Sequence, residues 1–100
     1  MYISKTRIKN NLRQYRKLRG YSQTDVAKIL GFKRTNRISN WEKGITIPNM
    51  KNLLKLSILY GTLPQELYFN YYQSLRAKVL LSEKTFLGQT RIDHTFYDDS

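Results

Sequence analysis

The sequence predicts an all-α protein, and three observations carry that reading. Glycines at positions 20, 31, 44 and 61 divide the first 70 residues into five segments of helix length. Apolar residues within these segments recur at spacings of three and four, which gathers them on one side of a helix. Thr6, Ser22 and Asn49 stand just ahead of three of the segments, where a side-chain oxygen can accept a free N–H of the first turn. A sixth helix and a tail follow. No internal repeat or low-complexity run is present.

Helix 1 is expected over residues 6–19, with Ile8, Leu12, Tyr15 and Leu18 as its stripe. Gly20 stops it, because glycine takes the left-handed C′ conformation at little cost, and Tyr21 folds back over the last turn. Helix 2 opens at Ser22 and runs to Leu30. It turns Val26, Ile29 and Leu30 inward, with Ala27 small enough to admit a neighbouring helix. Helix 3 covers residues 35–43 with Ile38 and Trp41 as its buried anchors. Helix 4 starts after Asn49, carries Leu53, Leu54, Leu56 and Leu59, and stops at Gly61. Pro64 suits the first position of helix 5, where a missing N–H costs nothing, and Leu67 and Tyr68 close the core.

Beyond Asn70 the pattern thins. Tyr68, Tyr71 or Tyr72, Leu75 and Val79 form the stripe of helix 6, and the periodicity is lost after Ser82. The last ten residues, RIDHTFYDDS, alternate briefly and are compatible with a short strand, an ordered arm or disorder. Disorder, or order acquired on a partner, is the expectation. The chain thus divides into a domain at 1–70 and a C-terminal helix and tail at 71–100.

Composition narrows the function classes. One hundred residues suit one small domain with a single core. The absence of cysteine excludes disulfides, thiolate metal sites and cysteine nucleophiles, and fits the reducing cytoplasm. No run of about 20 apolar residues is available for a membrane span. The basic start, with no apolar run behind it, is not a signal peptide. Eighteen Lys and Arg against seven Asp and Glu give a net charge of +11. Residues 1–70 hold 14 basic and 3 acidic side chains, whereas residues 71–100 hold 4 of each. A basic region of that density points to a polyanion partner.

The segment from Gln23 to Gly44, QTDVAKILGFKRTNRISNWEKG, reads as two short helices joined by a glycine turn, the second opening in a cluster of cations. Around it stand Ile8, Leu12 and Arg16, then Gly20-x-Ser22-Gln23, Val26-Ala27 and Leu30-Gly31. Ile38-Ser39-Asn40-Trp41-Glu42-Lys43-Gly44 and Pro48 with its leucine helix complete the set. In this order and spacing, residues 8–67 resemble the helix-turn-helix family of phage Cro and CI repressors and their bacterial relatives. One departure stands out. Relatives place five residues between the turn glycine and the buried aliphatic of the recognition helix; here Phe32 to Arg37 make six between Gly31 and Ile38.

The resemblance implies a five-helix, lambda-repressor-like DNA-binding domain with its helix-turn-helix at 23–43. Counted back from Ile38, the likeness makes Thr35, Asn36 and Asn40 the readers of base edges. Asparagine can pair with adenine N6 and N7, and a threonine methyl can pack on thymine. Arg37 reaches guanine or a phosphate. Gln23 grips a phosphate at the positive end of helix 2, or else caps only its own helix. Lys33, Arg34, Lys43 and Lys5 add phosphate contacts. In relatives the arginine at Arg16 pairs with the glutamate at Glu42, tying helix 1 to helix 3. The likeness further implies a homodimeric repressor on a palindromic operator, with Leu63, Tyr68, Tyr71, Tyr72, Leu75 and Val79 as interface residues or as caps of the monomer core.

Other classes fit less well. His94 is the one histidine, and its neighbour Asp93 does not make a catalytic dyad, so no enzyme is expected. A single histidine without cysteine cannot build a zinc site, and no cofactor is implied. An antitoxin-like protein whose residues 71–100 hold a protein partner is the alternative, and it is compatible with DNA binding.

Overall fold

The computed structural model describes residues 7–94, with side chains to residue 89. Six helices follow in order: α1 (Leu12–Leu18), α2 (Gln23–Leu30), α3 (Asn36–Glu42), α4 (Met50–Tyr60), α5 (Pro64–Leu67) and α6 (Phe69–His94). Among the described residues there is no strand. Leu12, Val26, Leu30, Ile38, Trp41, Leu56, Tyr60, Leu67 and Tyr68 meet in one core, with Ala27 letting the helices approach.

The first helix is shorter than its stripe predicts, because its expected first turn has other partners. Ile8 donates its backbone N–H to the Gly44 carbonyl at 3.0 Å, and Asn11 donates its own to Leu67 at 2.8 Å. The Asn10 amide donates to the carbonyls of Ile8 and Trp41, both at 3.0 Å. Its oxygen accepts the Leu12 N–H at 3.1 Å, so the Asn10 side chain takes the first helical N–H from just ahead of the N-cap residue Asn11. Ile8 still packs against the core, but from an extended strap laid across the end of α3. Thr6, the expected cap, lies outside the described residues.

Glycine and side-chain caps set the other boundaries. At the end of α1, Tyr21 donates to Arg16 and Gly20 to Lys17, with Gly20 at φ +80°; this is the fold-back over the last turn that glycine permits. Ser22 caps α2 and completes a reciprocal box, its hydroxyl accepting from Asp25 N–H while the Asp25 carboxylate accepts from Ser22 N–H. Those hydrogen bonds hold the Asp25 carboxyl below its ordinary pKa. Asn49 caps α4 by accepting from Asn52 N–H at 2.8 Å.

Two helices present slightly different faces from those expected. In α2 the buried set is Val26, Ala27 and Leu30, which leaves Ile29 at 53% exposure on the flank. In α4 the buried line is Asn52, Leu56 and Tyr60, flanked by Leu53 and Leu59, and Leu54 turns outward. Tyr68 belongs to the core at 8% exposure and is not free to form an interface.

The largest difference lies at the C-terminus. Periodicity suggested a helix fading at Ser82, yet α6 runs unbroken for 26 residues to His94. Residues 95–100 of the alternating tail lie outside the described residues. The helix projects from the domain: the radius of gyration is 19.4 Å, against about 13 Å for a compact chain of this length.

Candidate nucleic-acid interface

The recognition unit is α2, the turn at residues 31–35, and α3. Ile38 and Trp41 are buried, and these two anchors fix the rotation of α3 about its axis. At 100° per residue, Asn36, Asn40 and Lys43 then share the opposite face. Asn36 and Lys43 are exposed and Asn40 is half-buried. Thr35 is half-buried at the start of the helix, where its carbonyl accepts the Ser39 N–H at 2.9 Å. The four predicted base-contacting residues therefore lie at the start of α3 and in its first turn and a half, with Asn36 and Arg37 exposed and Thr35 and Asn40 half-buried.

The longer turn is built around Phe32. Its ring meets Trp41 edge-on at 5.9 Å between centroids, with 71° between planes. The Arg37 guanidinium lies over the Phe32 ring, 4.7 Å from the centroid, an attraction between a cation and the negative face of the ring. Phe32 is thus a platform that ties the extra turn residue to the core and steadies Arg37 at the helix start, a role the motif alone does not reveal. A shallow depression at this place is lined by Gly31, Phe32, Lys33, Arg34, Asn36 and Arg37. Three cations around the N-terminal end of α3 form a positive rim suited to an anion.

A buried ionic network sets how α3 is held. Arg16 donates to both Glu42 oxygens, from Nε at 2.6 Å and from Nη2 at 3.0 Å, while Nη1 donates to the Tyr21 carbonyl at 2.9 Å. The bonds to Glu42 raise the Arg16 pKa further above its ordinary value, against the opposing effect of burial. Gln23 joins from the start of α2, its Nε2 donating to Glu42 Oε1 at 3.0 Å. One carboxylate therefore links the end of α1, the start of α2 and the end of α3. Gln23 neither caps its own helix, a task Ser22 performs, nor stands free; its amide nitrogen is engaged with Glu42.

The remaining cations are at the periphery. Lys33, Arg34 and Lys43 are exposed, and the Lys43 carbonyl lies 3.5 Å from Arg7 Nη1. Lys5 lies outside the described residues. Among the described residues no helix is long and apolar enough to cross a membrane.

A family model described as helix-turn-helix matches residues 12–67. The chain is a helix-turn-helix protein of the Cro/CI type. This helix-turn-helix protein is a DNA-binding regulator, and the match spans α1 to α5, stopping just short of α6. No curated protein and no solved structure matches it significantly.

Proposed function

We propose that the protein is a sequence-specific transcriptional repressor that binds a palindromic operator as a homodimer in the cytoplasm. The observation that carries this reading is the outward face of α3, held at a fixed rotation by Ile38, Trp41 and Glu42 beside a rim of cations. Thr35, Asn36 and Asn40 read base edges in the major groove, and Arg37, steadied on Phe32, reaches a guanine or a phosphate. Gln23, Lys33, Arg34 and Lys43 hold the backbone and so fix the register without reading sequence. Occupation of an operator that overlaps a promoter blocks polymerase sterically. Residues 1–70 perform the binding, and residues 71–100 join the two copies.

Selection of bound duplexes from a random library at near-physiological salt tests this. The expected result is two short half-sites in inverted order, about 34 Å apart centre to centre. If about 6 phosphates are neutralised, the log–log salt slope will be near −5. Enrichment of no motif would sink the reading. The alternative, a regulator whose C-terminal segment holds a different protein, draws on the exposure of α6 along its described length. Recovery of a single half-site by a monomeric protein would favour it.

A further inference from the structure

The DNA-binding reading gives residues 71–100 the task of joining two copies but assigns α6 no pairing geometry. Every described side chain from Phe69 to Gln89 is exposed, and the helix packs on the domain chiefly where it meets α5. Helices in proteins are stabilised mainly by burying one face, not by propensity alone. The face available is regular: Tyr72, Leu75, Val79, Ser82, Phe86 and Gln89 recur at spacings of three and four, the 3.5-residue period of a two-helix seam. Tyr72, Leu75, Val79 and Phe86 are 42–62% exposed within the protomer.

Charge beside the seam selects the occupant. Arg76 and Glu83 flank it on one side, one heptad apart. Both are exposed, and neither is in a salt bridge among the described residues, where the ion pair is Arg16–Glu42. Seven residues of helix separate them by about 10 Å, too far to pair within one chain. Two such helices related by a twofold axis satisfy each other, because residue i of one then meets residue j of the other and the reverse.

We propose that α6 pairs antiparallel with α6 of a second copy, setting Arg76 of each against Glu83 of the other. The proposal rests on the homodimer reading above and specifies its interface. With the twofold axis between Leu80 and Leu81, Leu75 faces Phe86, the small Ser82 faces Val79, and Tyr72 faces Gln89. A parallel pair would instead set Lys78 beside Glu83 and stack the two Ser82 hydroxyls at the middle of the seam. Antiparallel pairing has a further consequence. The two Phe69 positions, where the domains leave the seam, come to lie about 35 Å apart along the helix axis. That is close to one turn of B-DNA, the spacing of adjacent half-sites. The helix pair is thus both the joint between copies and the spacer between domains.

The cysteine-free chain makes the orientation directly measurable by oxidative cross-linking of the full-length protein. The double variant Leu75→Cys/Phe86→Cys is expected to form a covalent dimer, whereas Leu75→Cys alone is not. The two substituted positions are about 16 Å apart in one helix and cannot bridge each other. Sedimentation equilibrium supplies the second readout. Arg76→Glu should weaken dimerisation by roughly tenfold, and Arg76→Glu/Glu83→Arg should restore it. Cross-linking by Leu75→Cys alone, or a charge-swapped double variant weaker than either single one, would overturn the proposal. A palindrome bound by a dimer without the 75–86 cross-link would overturn it while leaving the repressor reading intact. The cross-link without any enriched DNA motif would keep the α6 pair and remove the repressor reading.

Discussion

Glu42 is the residue on which most of the recognition unit's geometry converges. It accepts from Arg16 on α1 and from Gln23 on α2 while itself ending α3. Replacing it with alanine leaves the Arg16 guanidinium buried without its counter-charge, so Glu42→Ala should cost about 3 kcal/mol in a denaturant titration. An unchanged midpoint would show that the pair adds nothing. Tyr68 carries the opposite expectation. Its hydroxyl is buried with no hydrogen-bond partner among the described residues, so Tyr68→Phe removes a desolvated polar atom and should stabilise by about 1 kcal/mol. Burial also pushes the Tyr68 phenol up to about 12, above the usual value near 10. The unfolded chain therefore loses this proton first. The Tyr68 contribution is fully present below about pH 10 and is lost as the pH rises toward 12. Between those values the Tyr68→Phe variant should lose less stability than the parent. Some loss will persist, because burial raises the Tyr60 phenol as well.

At the scale of elements, the strap before α1 and the turn after α3 depend on one glycine. Gly44 has φ +77°, and a Cβ there would overlap the Ile8 carbonyl oxygen and crowd its nitrogen. Gly20 has φ +80° with open space around it. Gly20→Ala should therefore cost about 1 kcal/mol from backbone strain alone, and Gly44→Ala at least about 2 kcal/mol, because strap and turn must also separate. Equal melting temperatures for the two variants would contradict that account. Within α3, side chains at the groove and at the rim should fail differently on DNA. Asn36→Ala should relax base preference at one position, at a cost of about 1–3 kcal/mol for the preferred site only. Lys33→Ala should weaken all sequences alike and reduce the salt slope by about 1. Titrations against the selected operator and a scrambled duplex at two salt concentrations separate these outcomes.

At the scale of the molecule, the fold places a compact cationic reader at one end and a long helix projecting away from it. Much of the reader was legible from residue order. The cap at Ser22 and the stop signals at Gly20, Gly31 and Gly61 act through neighbours only a few positions away, and the three-residue spacing of Ile38 and Trp41 marks the buried side of α3 within a single turn. Local readings of them therefore hold. Where contacts span long stretches of chain, the local reading failed. The stripe through Ile8 suggested a longer first helix, but the N–H groups it needed are engaged by Gly44 and Leu67, 36 and 56 residues on. Ile29 and Leu54 look as apolar as their neighbours, and only the position of the adjacent helices decides which side is covered. α6 was underread because beyond Ser82 its apolar stripe is sparse, although its backbone pattern is continuous.

By itself, then, the sequence determined the helical class, the order of the five domain helices, the caps at Ser22 and Asn49, the basic character of the first 70 residues, and the buried anchors that rotate α3. These depend on periodicity, capping chemistry and charge, which are properties of short segments. The tertiary structure alone decided that Gln23 engages Glu42, that Arg37 rests on Phe32, that Asn10 bridges to the end of α3, and that α6 stands clear of the core. Each of these depends on distances between segments that are remote in the chain, and such distances are set only when the whole core has packed.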